Sequence, residues 1–100
     1  MTGKYLVLGS PKAHVTRAAT APHMVPEIET VWRQYLNGDL REIYQYDGGV
    51  VIILEAVSQA AAEGLVAELP LAQAGLIETR VIALQPFKMW DVLFANPVPA

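Results

Sequence analysis

The run Val50-Val51-Ile52-Ile53-Leu54 carries no polar side chain. Successive residues of a strand point to opposite faces, so a strand with no polar position needs cover on both sides, the situation of a central strand. Asp47-Gly48-Gly49 precedes the run and supplies the positive φ angles of a tight hairpin. Leu40 to Tyr46 (LREIYQY), before that turn, mixes β-branched and aromatic residues as a partner strand does. A strand, turn and strand therefore occupy the middle of the chain, and the other elements must supply the cover.

Upstream, Tyr5-Leu6-Val7-Leu8 is a short apolar run closed by Gly9-Ser10-Pro11, the pattern of a buried strand. Residues 11–22 show no apolar period and read as a long loop. Ile28, Val31, Trp32, Tyr35 and Leu36 then fall on one helix face, with Pro26 in the first turn and Asn37-Gly38 as the stop. This stripe, Trp32 included, is expected to face the core. Ser58 is an N-cap for a second helix whose face is Ala61, Ala62, Leu65, Val66 and Leu69, with Gly64 inside it and Pro70 closing it. Residues 76–84 (LIETRVIAL) form the last strand, ended by Pro86. The expectation is one α+β domain over residues 1–95, a ferredoxin-like β-α-β-β-α-β fold with two helices on one face of an antiparallel sheet. Its tail, residues 87–94 (FKMWDVLF), is apolar, and residues 96–100 are a frayed terminus.

With both helices on one face, the other face of the sheet lacks cover, and composition points the same way. Hydrophobic residues other than glycine make up 53% of the 100 residues and charged residues only 17%, against about 45–50% apolar with glycine counted in ordinary domains. A second copy packing sheet on sheet meets both observations, so a homodimer or higher homo-oligomer is expected. The net charge is −3 without a Lys or Arg cluster, which argues against nucleic acid as a partner. No apolar run is long enough for a membrane span and the N-terminus shows no cleavage pattern, so the chain reads as cytoplasmic. With no cysteine there are no disulfides or thiolate metal sites, and any chemistry falls to oxygen and nitrogen groups.

The segments Gly38-Asp39-Leu40-Arg41, residues 49–55, Ala67-Glu68-Leu69-Pro70-Leu71, residues 74–78 and residues 81–86 resemble the YciI-like and muconolactone isomerase-like small proteins of the dimeric α+β-barrel group. The resemblance covers about half of the chain; elsewhere only the element order matches. It implies a dimeric α+β barrel and, from the isomerase branch, a cofactor-independent double-bond shift in a small unsaturated lactone acid. In the YciI-like branch a histidine near the start of the first helix works with an acidic residue, and His23 is the histidine at that place here.

Read from the residues themselves, His23 titrates near neutrality and suits a general acid or base, though a loop histidine is equally an exposed surface group. His14, nine positions earlier, makes no HxH or HxxxH spacing with it, and no metal site is expected. Arg41 can hold a carboxylate through two parallel hydrogen bonds, or else form a surface or intersubunit ion pair. Tyr44, on the opposite strand face, can donate to a ligand oxygen or serve as an interface tyrosine. Trp90 in the tail can line a pocket or seal a dimer interface. Two functions follow: a proton-transfer enzyme on a small anionic metabolite, with His23 catalytic and Arg41, Tyr44 and Trp90 binding substrate, or a non-catalytic small-ligand-binding or accessory protein of the same fold. Neither calls for a cofactor.

Overall fold

The computed structural model describes residues 1–95 in the order β1 (Gly3–Pro11), α1 (Arg17–Thr20), a 3-10 turn (Ala21–His23), α2 (Met24–Leu36), β2 (Leu40–Tyr46), β3 (Gly49–Ala56), α3 (Gln59–Ala67), α4 (Pro70–Gln73), β4 (Ile77–Ala83) and α5 (Trp90–Ala95). The terminus expected to fray, residues 96–100, lies outside the described residues. One four-stranded antiparallel sheet has the order β2-β3-β1-β4, a small α+β arrangement compatible with a ferredoxin-like fold. The strand without polar positions is internal, as its composition requires. No helix among the described residues is long and apolar enough to cross a membrane.

Register separates the two faces of the sheet. Val7 lies opposite Ile52 on one side and Val81 on the other, and this row faces the helices. The core forms where Val7, Leu40, Ile52 and Leu54 meet Ala62, Val66 and Leu69 of α3 and the turn after it. Each large aliphatic side chain so buried contributes about 1.5–3 kcal/mol. The alternate row, Leu6 with Ile53 and Ile82, and Leu8 with Val51, points away from the helices and is only half-buried.

Local chemistry accounts for the element ends. The Ser58 hydroxyl accepts from the Ala61 N–H at 3.0 Å and starts α3. The second helix ends at Ala67, short of Leu69 and Pro70, and the fixed φ of Pro70 instead opens the short α4. Residues 11–22 are not wholly loop: β1 runs on to Pro11, and Thr16 caps α1 by accepting from the Ala19 N–H at 3.2 Å. Behind the β2–β3 hairpin, a Cβ at Gly49 would lie 1.9 Å from the Gly9 carbonyl oxygen, so only glycine permits that approach.

The larger departure concerns α2. Of its residues only Thr30 and Gln34 are buried, with Glu27 and Val31 half-buried, while Ile28, Trp32, Tyr35 and Leu36 of the expected core stripe are exposed. Periodicity identifies residues that share a face and not which face meets the sheet. The polar face turns inward because its groups find partners. Gln34 Nε2 donates to the Leu65 carbonyl at 2.9 Å, Thr30 Oγ1 donates to the Pro26 carbonyl at 2.9 Å, and a Glu27 carboxylate oxygen accepts from the Leu71 N–H at 3.0 Å. Trp32 instead stacks on Tyr35 at the surface, ring centroids 5.5 Å apart.

Two substitutions test this account by chemical denaturation. Gln34→Ala removes a buried hydrogen bond and is expected to cost about 1–3 kcal/mol. Gly64→Ala, at a helical position where a Cβ meets nothing within 4 Å, is expected to add about 0.5–1 kcal/mol. A loss on Gly64→Ala, or no change on Gln34→Ala, contradicts the packing described.

Candidate functional site

A cleft of about 900 Å³ opens between α2 and the helix-facing side of the sheet, where β1 ends and the β2–β3 hairpin turns. Its wall is mostly aliphatic, built from Val7, Ile28, Val31, Ile52, Leu69 and Ile77. Arg17, Glu27, Gln45, Tyr46, Asp47 and Thr79 add polar groups to the lining. A mostly apolar wall with a few polar groups is the usual character of a small-molecule site. A second hollow of about 440 Å³ beside α3, α4 and β4 has Glu63 as its one ionisable lining group, and that residue is exposed.

Glu27 is the chemically distinctive residue of the cleft. It stands in the first turn of α2, on the inward face with Thr30, Val31 and Gln34. Burial raises its pKa above the ordinary carboxylate value, against the partial opposition of the Leu71 N–H and of the charge of His23 one helical turn earlier. In the sequence Glu27 is hidden by the apolar stripe on the other side of the helix, which has the pattern of a core face. The spacing of Glu27, Thr30, Val31 and Gln34 at i, i+3, i+4 and i+7 was the available signal.

The residues singled out from sequence are dispersed. His23 is half-buried at the end of the 3-10 turn and is not among the residues bordering the cleft, acting on it only through its charge on Glu27. Arg41 is exposed at the irregularity between Leu40 and Glu42, its guanidinium beside Gly38, and does not border the cleft either. Tyr44 meets the cleft only at its β2 rim, since it pairs with Val51 in the row that points away from the helices, and its hydroxyl donates to Glu42 Oε1 at 2.7 Å. That bond and the carboxylate's charge raise the tyrosine pKa. Trp90 is exposed in α5, edge-on to Phe87 at 5.2 Å, and away from the cleft lining. His14 occupies an exposed turn with φ +66°. Among the described residues no group of three or more His, Cys, Asp or Glu side chains could hold a metal ion.

Fold and cleft together define a small α+β protein with one buried-edge carboxyl in a mostly apolar site. No family model matches the chain, and no curated protein matches its sequence.

The raised pKa of Glu27 has a thermodynamic consequence. Ionisation is harder in the folded than in the unfolded chain, so Glu27's contribution to stability is full below the ordinary value of 4.5 and falls as pH rises through the folded-state pKa. Glu27→Gln keeps an oxygen to accept from Leu71 and removes the titration. Thermal melts between pH 3.5 and 7 are expected to show the variant gaining on the native protein as pH rises. A difference that is constant with pH contradicts the burial account.

Proposed function

We propose that this protein is a homodimeric, ferredoxin-like α+β-barrel protein, akin to the muconolactone isomerase-like and YciI-like group, whose cleft binds a small organic acid and transfers a proton on it. The observation that carries the reading is the Glu27 carboxyl, held half-buried among aliphatic side chains in a cleft of metabolite size. A carboxylate short of hydration is a stronger base than one in water, and its raised pKa brings it nearer to neutrality, where proton transfer in both directions is efficient. In a double-bond shift, Glu27 takes a proton from the carbon next to the unsaturated system, the electron pair moves through the conjugated bonds, and the carboxyl, having exchanged its proton with water, delivers one to the far carbon. Nothing is oxidised or reduced, and no cofactor is needed. Arg17, the cation of the cleft lining, receives the carboxylate of the substrate.

The homodimer is supported by the face of the sheet that no helix covers. Leu6, Leu8, Val51, Ile53 and Ile82, with Tyr44 beside them, form an apolar centre on that face. Packing it against the same face of a second copy makes a sheet-on-sheet core. A purely binding role has one observation in its favour, namely that His23 and Arg41 do not converge on the cleft.

The test is incubation in D2O with but-3-enoate, pent-3-enoate and unsaturated lactone acids, followed by proton NMR. The expected result is deuterium entering one of these acids at the carbon beside the double bond, slowed at least about 100-fold by Glu27→Gln. Binding without exchange supports the non-catalytic role, and absence of both overturns the assignment of the cleft.

A further inference from the structure

Besides the sheet face, two apolar surfaces of the subunit are left without cover. On α2, Ile28, Trp32, Tyr35 and Leu36 each expose between 52% and 65% of their surface. Beyond β4, Phe87, Met89, Trp90, Val92, Leu93 and Phe94 form an arm whose side chains are all exposed, Phe94 at 80%. The arm leaves its own subunit. Among the described residues its last backbone bond to the sheet is from the Leu84 N–H to the Lys4 carbonyl, and α5 makes no extensive packing contact with another element. The radius of gyration is 17.3 Å, against about 13 Å for a compact chain of this length. The longest dimension is 65 Å, whereas a nine-residue strand spans only about 30 Å.

We infer that the arm of one copy, residues 85–95, seats on the α2 stripe of a second copy. The inference rests on the homodimer proposed above and deepens it. Leu40, Leu54, Tyr5 and Ala83 make one row across the sheet, so the start of β2 and the end of β4 lie at the same end of the molecule and on opposite edges. Leu36, the last residue of α2, lies just before β2. Three strand spacings, about 14 Å, separate the two edges, so an arm leaving from β4 starts far from its own stripe. A two-fold axis parallel to the strands and between two facing sheets sets β4 of each copy beside β2 of the other. The arm then enters the partner's stripe at its Leu36 end.

The dimensions agree. Facing sheets lie about 10 Å apart and α2 sits on the far side of its own sheet, so the five extended residues are spent in reaching Leu36; the six of α5, about 9 Å of helix, then cover the Leu36 half of a stripe about 18 Å long. Two reciprocal arms on two stripes bury on the order of 2,000 Å², within the range of stable interfaces.

Sedimentation equilibrium on the full chain tests this with a double-mutant cycle. Phe87→Asp with Trp90→Asp alters the arm, Trp32→Glu alters the stripe, and a third protein carries all the changes; the residues are exposed, and circular dichroism checks that each protein keeps its fold. Each alteration is expected to weaken dimerisation at least tenfold, and the combination little more than the worse of the two, because either change already breaks the contact. Penalties that multiply, or a dimer indifferent to both, overturn the inference while leaving the dimer intact. A native protein that is monomeric removes the dimer itself and the inference with it. Since the chain has no cysteine, mixing Leu36→Cys and Met89→Cys proteins gives a second readout: oxidation is expected to yield the mixed disulfide dimer in excess of either same-variant dimer, and equal yields speak against seating.

Discussion

The polar join between α2 and the segment from α3 to α4 determines how the rest of the molecule presents itself. Gln34 holds the Leu65 carbonyl and Glu27 holds the Leu71 N–H, so α2 is fastened at both ends to backbone groups of the neighbouring element. Each such bond contributes on the order of 1 kcal/mol, and more where a charged group takes part. Rolling α2 to bring Trp32, Tyr35 and Leu36 inward would bury side chains worth about 1.5–3 kcal/mol each. It would also strand Leu71 and carry Thr30, Gln34 and Glu27 into water. In an isolated subunit the observed roll thus forgoes apolar burial, a deficit that disappears once the outward stripe is covered.

The same join shapes the cleft. Turning the polar side of α2 inward places Glu27 at the edge of the core, and the glycines at the end of β1 and in the hairpin leave the opposite wall low. Gly9 and Gly49 approach one another so closely that a side chain at Gly49 cannot be accommodated, and both border the cleft. The carboxyl consequently stands over aliphatic side chains, where it loses hydration without losing all its hydrogen bonds. Its raised pKa follows from burial outweighing both the Leu71 N–H and the charge of His23.

Strands were more legible in the sequence than faces. LREIYQY forms β2 over the residues expected, the all-apolar run is an internal strand, and Ser58 caps α3 as its hydroxyl requires. These features depend on local chemistry or on a period of two. The orientation of α2 depends instead on partners supplied by Leu65 and Leu71, 31 and 44 residues away in sequence, and while the spacing of Glu27, Thr30, Val31 and Gln34 marks a shared face, it does not say which of the two faces finds those partners. His23 drew notice as the titrating group near the helix start, yet it is the carboxylate one turn further on that borders the cleft. Arg41 sits at an irregularity of register, where strand alternation ceases to specify direction.

The apolar excess in the composition can now be located. Its uncovered part lies on three surfaces: the sheet face away from the helices, the outer stripe of α2, and the arm. Sheet-on-sheet association alone buries the first and leaves the other two in water, where each large apolar side chain forfeits a stabilisation of about 1.5–3 kcal/mol. In the proposed symmetric dimer, exchange of arms would cover surface of all three kinds without calling on another protein.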